Sequence, residues 1–191
     1  MKFYVTDQSF QFEKLLEELK SLAVMTFEKK NLVEKISSVK IDSRKKIDEL
    51  DLAFFFDYQI FPKTIMKYQT QWELEKRSMR VGDTVLQQVN ILPFTFFPKI
   101  IFGARITSII AERGRKGFSY TTLEGHAEKG ESIFVMEQTD EGIQFRIRTF
   151  SVPGNWLTRI LAPIFSVPYQ SYCTRKATKN VRQQMKGSNN N

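Results

Sequence analysis

From residue 81 onward the hydrophobic pattern becomes a series of predicted strands separated by turn residues. The clearest case is residues 143–152, where Ile143, Phe145 and Ile147 alternate with polar residues, the period of a strand with one buried face. Turn residues divide this region into predicted strands at 82–91, 99–112, 117–123, 131–138 and 143–152. Because most of the connections are of hairpin length, the pattern predicts an antiparallel meander rather than a parallel sheet.

A helical period replaces this alternation near both ends of the chain. Residues 10–24 place apolar side chains on one face, at Phe12, Leu15, Leu16, Leu19, Leu22 and Ala23. A long helix is predicted to begin between Pro163 and Pro168 and to continue to about residue 184. Its apolar row is Tyr169, Cys173, Ala177 and Val181, and its basic row on another face is Arg175, Lys179, Arg182 and Lys186. The long helix therefore has a face with which to pack on the meander.

The region before the meander is less regular. Residues 26–51 are dominated by lysine and acidic residues and are predicted to be a solvated connection. Residues 51–61 are predicted to be a buried strand ended by Pro62. Residues 62–76 are predicted to be a helix with proline in its first turn and an apolar face made by Ile65, Tyr68 and Trp72.

This order of elements predicts an α+β fold of the helix-grip type, in which a curved antiparallel sheet wraps around the long C-terminal helix. Gly103, inside a long strand, is a position where the sheet can bend. A bent sheet closed by one helix need not pack fully against it, so a cavity between the two layers is expected. The predicted division is a helical N-terminal extension (1–53) packed on the same domain, a helix-grip domain (54–185) and a disordered tail (186–191).

Composition supports one globular domain with an aromatic interior. A length of 191 residues with 41% hydrophobic residues suits a single domain with its own core. The 17 phenylalanines are consistent either with dense aromatic packing or with a lined cavity. Both interpretations stay open at this point.

Charge and cysteine content limit the partners and the compartment expected for this protein. The formal net charge of +8 favours approach to anionic partners such as a membrane surface, nucleic acid or an acidic protein. Cys173 is the only cysteine, which excludes an intramolecular disulfide. The first residues lack a secretory pattern, and the most apolar stretch, residues 91–110, is interrupted by prolines and charges. A cytoplasmic location is therefore expected.

A family resemblance rests on residues 117–134 and the segment that follows. The motif residues are Gly117, Phe118, Tyr120, Thr122, Leu123, Gly125, His126, Glu128, Gly130, Glu131 and Phe134, followed by FRIRTFSVPGNWLTRILAPI and the basic helix. This pattern resembles a family of bacterial and plant proteins known as a domain of unknown function, within the START-like, polyketide-cyclase-like (SRPBCC) superfamily. The resemblance covers residues 117–182, extends back to Phe54, and is weak before that residue.

The resemblance implies a helix-grip cavity. Across the superfamily such cavities hold lipids, sterols, polyketides or aromatic hormones, and occasionally support cyclase or hydrolase chemistry. It transfers no catalytic residues to this chain, since a shared fold does not fix a function.

The only histidine, His126, lies in a connection of about seven residues between two predicted strands. One interpretation makes it a loop fastener, with Gly125 and Gly130 at positive φ and the imidazole bonded to backbone. The other places His126 at the rim of the cavity, where it donates to a ligand carbonyl or acts as a general base. In that case a neighbouring glutamate (Glu124, Glu128 or Glu131) holds the ring, and acidic neighbours are expected to raise its pKa.

The predicted ligand-binding residues lie on the meander, its histidine loop and the C-terminal helix: Phe102, Phe118, Tyr120, Thr122, His126, Phe145, Ile147 and Tyr169. Tyr120 and His126 are also the candidate catalytic residues. Tyr120 and Thr122 share a strand face with Phe118, so their hydroxyls need partners if that face is inward. A ligand group, backbone or water can each fill that role.

Several chemistries are excluded or disfavoured. One histidine and one cysteine on different elements do not make a multi-histidine or multi-cysteine metal centre. No glycine-rich phosphate loop and no nucleophile elbow is present. We therefore expect no metal and no cofactor, and Cys173 fits a small core position better than a nucleophile.

Three functions remain. The first is binding of a hydrophobic or amphipathic small molecule, such as a lipid, in the cavity between the sheet and the C-terminal helix. The second is an enzyme that acts on a hydrophobic substrate, with His126 as acid or base and Tyr120 as an orienting donor. The third is a basic adaptor for an anionic membrane or nucleic acid, although no specific nucleic-acid recognition is expected and a solvated helix face explains the basic row equally well. The aromatic stretch 91–98 is either a portal or membrane-contacting loop, or folds under the helix, and the sequence predicts no oligomeric state.

Overall fold

One antiparallel sheet is the main element of the fold. The computed structural model describes residues 2–90, 99–154 and 167–188, with side chains of the last range described from 171 to 186. The strands are β1 (Lys2–Tyr4), β2 (Val33–Ile41), β3 (Met66–Thr70), β4 (Thr84–Asn90), β5 (Lys99–Glu112), β6 (Arg115–Thr122), β7 (Glu128–Thr139) and β8 (Gly142–Pro153). Their order across the sheet is β2-β8-β7-β6-β5-β4-β3, and β1 pairs with the first residues of β5.

The helices are α1 (Phe12–Lys20), α2 (Ala53–Phe56), α3 (Gln71–Leu74) and α4 (Val167–Ser188), with single 3-10 turns at Ser9–Gln11, Lys29–Asn31 and Ile47–Glu49. The helix α1 buries its apolar face on one side of the sheet, in a cluster of Phe12, Leu15, Leu16, Leu86 and Ile101. The helix α4 buries Ala177, Val181 and Met185 in the main core on the other side. We call this second side, which faces α4, the concave face.

The predicted α+β helix-grip arrangement is confirmed. A meander from β4 to β8, in which consecutive strands pair antiparallel, follows the predicted segments. A β-bulge between Ile106 and Ser108 shifts the register of β5 against β6 and adds local twist. Gly103 lies where Leu19 and Leu123 approach the strand, and an added Cβ would come within 2.8 Å of Leu123.

Residues 51–61 are not the predicted strand. They form α2 and a following turn, which places Phe55, Tyr58 and Ile60 in the core with no exposed surface. A short apolar run has the same sequence signal in a buried strand and in a buried helical turn. Neither the length of this run nor its flanking residues distinguishes a buried strand from a buried helical turn.

Residues 62–76 are not the predicted helix either. Met66–Thr70 is strand β3, and only the four residues after it form the short helix α3, capped by the Thr70 hydroxyl, which accepts from the amide of Glu73. The spacing of Ile65, Tyr68 and Trp72 matches a helical period, but these residues do not lie on one helix. Met66 and Tyr68, two apart, are the strand residues that face the core.

The N-terminal region is less helical and more integrated than predicted. The helix α1 is shorter than residues 10–24, and residues 26–51 contain β2, which pairs with β8 along its whole length. The 1–53 segment thus supplies two strands of the same sheet. At the other end, α4 continues to Ser188, past the predicted end near residue 184. The predicted loop 91–98, the lead-in to α4 before Val167 and the last residues, 189–191, lie outside the described residues.

Candidate functional site

The concave face is polar along one row of the sheet. Strand register sets Tyr120 opposite Ser132, Ser132 opposite Thr149, and Thr149 opposite Lys35. Directly paired residues point to the same side of a sheet. Since Tyr120 belongs to the main core, the whole row faces α4.

The neighbouring row is aromatic and tightly filled. Phe118 stacks on Phe134 with ring centroids 5.2 Å apart, and α2 inserts Phe55 at 5.3 Å from Phe118 and 5.8 Å from Phe145. None of these four rings retains exposed surface. A side chain that borders a water-sized void keeps some accessible surface, so this half of the interior is packed by the chain itself.

A buried hydrogen bond joins strand β4 to the turn that follows α2. The Nε2 of Gln87 on β4 donates to the Tyr58 hydroxyl over 2.6 Å. The Tyr58 ring lies 6.0 Å from Phe118 and 6.4 Å from Tyr120, and its backbone φ is +63°. Buried amides and phenols need such partners, which explains why this tyrosine is held in a left-handed conformation.

Burial controls the ionisation of these phenols. It raises the pKa of Tyr58 well above the ordinary value, and the nearby Tyr120 adds to the shift. Burial also raises the pKa of Tyr120, against hydrogen bonds with Ser132, Gln87 and Tyr58 that lower it. Both hydroxyls therefore stay neutral near pH 7 and act as hydrogen-bond donors and acceptors.

His126 lies in the loop between β6 and β7, against the ring of Phe102. The β6–β7 loop turns at Gly125, whose φ is +78°, and brings the imidazole within 4.0 Å of the Phe102 ring, centroid to centroid. The Nδ1 of His126 accepts from the backbone N–H of Glu128 over 2.9 Å. This is the loop-fastening contact that the sequence suggested, although the connection has five residues rather than seven.

The second imidazole nitrogen of His126 is a donor that has no acceptor among the described residues. Because Nδ1 accepts, the neutral ring carries its proton on Nε2. This nitrogen is buried, and no group among the described residues bonds to it. A buried donor of this kind is costly unless something pairs with it.

The expectation that acidic neighbours raise the pKa of His126 is wrong. Burial lowers the pKa to about 3, because the charged imidazolium is costly in this buried position. The ring is thus neutral at physiological pH. A neutral imidazole with so low a pKa is a weak base, and its Nε2–H serves best as a hydrogen-bond donor.

Glu128 has the opposite shift. Burial raises the pKa of its carboxyl group, while a hydrogen bond with Ser151 and the charge of Lys35 lower it. The sequence pointed to Glu128 only as a support for His126. In the structure the carboxyl group itself has a raised pKa and lies near Ser151 and Lys35.

The predicted site residues fall into three groups. Phe102, Tyr120 and His126 come together around Gln87, which pairs with Phe102 across β4 and β5 and interacts with Tyr120. Thr122 lies beside them, but its hydroxyl is bonded to the backbone of Gly130, as acceptor at 3.0 Å and as donor at 3.2 Å.

The remaining predicted residues are more distant from this group. Phe118 and Phe145 belong to the filled aromatic half, and Ile147 pairs with Phe134 in the same row. A ligand reaching Phe118 or Phe145 would have to displace Phe55. The side chain of Tyr169 lies outside the described residues. Ligand contact at these four positions stays a prediction.

Sequence reasoning missed several polar residues on or beside the concave face: Lys35, Tyr58, Gln87, Ser132, Thr149 and Ser151. A usable signal existed for Ser132 and Thr149. Thr149 lies two positions from Ile147, a predicted ligand-binding residue, and Ser132 lies two positions from the motif residue Phe134, so strand alternation places each of them on the same face as its apolar neighbour. Tyr58 and Gln87 carried no such signal, because their contact depends on α2.

A separate surface pocket of about 200 Å³ lies at the β3 edge. Its lining is Asp57, Gln59, Tyr68, Trp72, Glu73, Lys76 and Arg77. Burial raises the pKa of Tyr68 to about 12, with contributions from the charges of Glu73 and Asp57. Four charged side chains in so small a pocket do not suit an apolar ligand.

No grouping of three or more histidine, cysteine, aspartate or glutamate side chains suited to a metal ion occurs among the described residues. The same part of the chain contains no helix long and apolar enough to cross a bilayer.

Residues 55–180 match the sequence model of the domain of unknown function family DUF1990, over more than half of the chain. The chain belongs to this family. No functionally curated protein matches the sequence. Membership of DUF1990, together with the fold, is consistent with the START-like superfamily that the motif residues suggested.

Solved structures support the same fold for this DUF1990 protein. The solution structure of the KanY protein is similar with a TM-score of 0.56 and 13% identity, over 82% of this chain and 99% of that one. The major latex-like protein 151 of Panax ginseng is similar with a TM-score of 0.50 and 11% identity, over 81% and 97%. A hypothetical protein of Helicobacter pylori has a TM-score of 0.52 and 13% identity, over 86% and 98%. At these identities the likeness concerns the fold alone.

Proposed function

We propose that this protein binds a hydrophobic or amphipathic small molecule between the concave face and α4, at the end marked by Phe102, Tyr120 and His126. The observation that carries the proposal is the buried Nε2–H of His126, which finds no acceptor among the described residues. A ligand carbonyl, ester or ether oxygen would satisfy this donor. The ring of Phe102, in contact with the same imidazole, offers apolar surface for the rest of the molecule.

The distribution of polarity on the concave face supports an amphipathic ligand. Hydroxyls of Tyr120, Ser132 and Thr149 lie in one row, next to the aromatic row. Ligand sites commonly combine a mainly apolar wall with a few placed polar groups that fix orientation. Tyr120 and Phe102 also retain 9% and 8% of their surface, whereas Phe118 and Phe145 retain none.

The direct test is to purify the protein under native conditions, extract it with organic solvent and identify the extract by mass spectrometry. A neutral fluorescent probe, N-phenyl-1-naphthylamine, measures binding in parallel. We expect saturable binding that long-chain fatty acids or sterols displace. A folded protein that yields no extractable compound and binds no probe would overturn the proposal.

Two neighbouring residues of β5 provide matched variants. Phe102 and Ile101 are consecutive in the strand and point to opposite faces, one in the main core and one under α1. Phe102→Leu is expected to weaken probe binding several-fold, and Ile101→Val to leave it unchanged, since both are modest core truncations. Equal effects of the two substitutions would show that the probe reports stability and not a site on the concave face.

Acid–base chemistry on a bound hydrophobic substrate is the second candidate, and the raised pKa of Glu128 is the observation that favours it. A carboxyl group that keeps its proton to higher pH can act as a general acid. If the extracted compound is converted by the protein, Glu128→Gln is expected to stop turnover while binding persists. Turnover that survives this substitution would remove Glu128 from the chemistry.

A further inference from the structure

The excess of positive over negative charge in this protein lies in one part of the sequence, residues 142–191. Glu141 is the last acidic residue, so residues 142–191 carry only basic charged side chains. Their number equals the formal net charge of +8, and the first 141 residues are therefore balanced. Strand β8 and helix α4 hold most of this excess.

The charges of β8 are already paired. Arg148 is bonded to Glu34, and Arg146 lies 2.9 Å from Glu137. The cations of this region that still lack an acidic partner thus lie beyond β8, and those described are on α4.

The helix α4 presents its cations to solvent as one surface. Ala177, Val181 and Met185 are fully buried against the sheet. The exposed side chains include Arg175, Lys176, Lys179, Arg182 and Lys186, which we call the basic face. Positions 175, 179, 182 and 186 follow one line along the helix for about 16 Å at the usual rise per residue.

Most of the basic face has no acidic partner. Arg182 pairs with Asp42 over 2.8 Å. Lys176 lies over the Tyr172 ring, and within the described part of the chain no carboxylate is within salt-bridge distance of Lys176, Lys179 or Lys186. Cations held in a row without local counter-charges produce a positive potential at the surface.

We propose that the basic face of α4 docks on a lipid bilayer with anionic headgroups. The described exposed residues of this face are basic or small and polar, so the contact is electrostatic adsorption without insertion of apolar side chains. A straight, convex row of cations fits a flat anionic surface, where every charge can approach a headgroup at once.

Nucleic acid fits the same charges less well. Proteins that bind single strands combine a basic groove with exposed aromatic rings on which bases stack. The basic face lies on a single convex helix, and its described exposed positions, which also include Ser171 and Gln183, contain no aromatic residue. Tyr172 is only half-buried but lies under Lys176.

Vesicle co-sedimentation tests the proposal on the full chain. The variant Lys176→Gln/Lys179→Gln/Lys186→Gln removes three charges that form no salt bridge among the described residues and leaves the Arg182–Asp42 pair intact. The control, Lys14→Gln/Lys30→Gln/Lys63→Gln, removes the same charge from exposed positions elsewhere. Vesicles are neutral phosphatidylcholine, or phosphatidylcholine with about 30% phosphatidylserine, and circular dichroism verifies that both variants are folded.

We expect the wild-type protein and the control to bind the anionic vesicles only, with binding lost between about 50 and 300 mM salt. The α4 variant is expected to bind about tenfold or more weakly. Equal loss in both variants would overturn the proposal in favour of net charge, and equal binding to neutral vesicles would also overturn it. Binding to a DNA duplex that depends on the α4 lysines, with no vesicle binding, would assign the face to nucleic acid. None of these results depends on the proposed internal ligand.

Discussion

The side-chain amide of Gln87 donates to the hydroxyl of Tyr58 across 2.6 Å inside the aromatic core, although the two residues are 29 positions apart. Tyr58 reaches this position with a φ of +63°, which few non-glycine residues adopt. Strain of this kind persists only where surrounding contacts over-determine it. The bond therefore fixes how the turn after α2 lies on the concave face.

Replacing Tyr58 by phenylalanine is expected to lower the free energy of unfolding by about 1–3 kcal/mol. The phenyl ring still fills the core, but the buried amide of Gln87 loses its acceptor. The nearby Tyr120 hydroxyl offers a partial substitute, which favours the lower end of this range. Urea unfolding monitored by circular dichroism measures the change.

The control for this substitution removes both partners. In Tyr58→Phe/Gln87→Met no buried amide is left unpaired, so the double variant is expected to be more stable than Tyr58→Phe alone. A double variant that is no more stable than the single one would show that the hydrogen bond contributes little.

Stability is expected to fall with pH through the titration of His126. Its pKa is about 3 when folded and about 6.5 in an unfolded chain, so only the unfolded chain takes up a proton between these values. The contribution to stability is complete above pH 6.5 and declines as pH falls toward 3, by about 2 kcal/mol at pH 5. Because His126 is the only histidine, NMR of its ring protons follows the titration directly.

The variant His126→Asn separates this effect from general acid denaturation. It has no imidazole to titrate, so its unfolding free energy should depend less on pH between 4 and 7 than that of the wild type. Ring signals that titrate near pH 6.5 in the folded protein would refute the predicted burial of the imidazole.

Two amide substitutions separate the two nitrogens of His126. Asparagine can place its oxygen near the position of Nδ1 and keep the bond from the Glu128 amide, but it lacks a donor at Nε2. Glutamine reaches the Nε2 position and lacks the Nδ1 acceptor. If a ligand accepts from Nε2, probe or ligand affinity should fall about 3- to 10-fold in His126→Asn, and less in His126→Gln.

Thermal unfolding provides the complementary measurement. The loss of the loop bond should make His126→Gln the less stable of the two variants. An affinity that follows stability in both variants would contradict a direct contact between the ligand and Nε2.

The meander was predictable because its signal is local and repeated. Strand β8 alternates apolar and polar residues, β4 to β7 are rich in β-branched and aromatic residues, and turn residues such as Gly114 and Gly142 separate several of these strands. The amphipathic C-terminal helix was predictable for the same reason, since Ala177 and Val181 have helical spacing. Local periodicity therefore sufficed for the sheet and its covering helix.

The elements before the meander were not predictable in this way. Strand β2 lies at the sheet edge with one solvated face, so lysines and serines dominate its sequence and hide the alternation of Val39 and Ile41. The apolar run that forms α2 is too short for its period to be read. The packing of Phe55 and Tyr58 on the concave face depends on tertiary contacts, which the local sequence pattern does not show.

The candidate site was predicted in part for the same reason. Phe102, Tyr120 and His126 lie on or next to the periodic strands and were found from alternation and the loop motif. Gln87 was hidden because a polar residue within a strand is normally assigned to the solvated face. Only the register of β4 against β5 shows that it faces inward beside Phe102.

Gly154 is expected to be necessary for the position of the histidine loop. A Cβ at this residue would lie 2.6 Å from the backbone oxygen of His126, which cannot move aside as a side chain can. Gly154→Ala should lower the unfolding free energy by about 1–3 kcal/mol and shift the NMR signals of the imidazole. In the control Gly103→Ala, the added methyl meets the flexible side chains of Leu123 and Leu19, so a smaller loss is expected. Equal losses would mean that the close approach at Gly154 is relieved without moving the loop.

Cys173 offers a probe of the contact between α4 and the sheet, because it is the only cysteine and lies half-buried against the main core. The packing of α4 on β2 and β8 covers part of the thiol, so labelling should be slower in the folded protein than in urea. A ligand held between the helix and the concave face stabilises the closed arrangement and should slow labelling further, in proportion to its occupancy. His126→Asn, which binds the ligand more weakly, should need a higher ligand concentration for the same protection. Labelling unaffected by a bound ligand would place that ligand elsewhere than under α4.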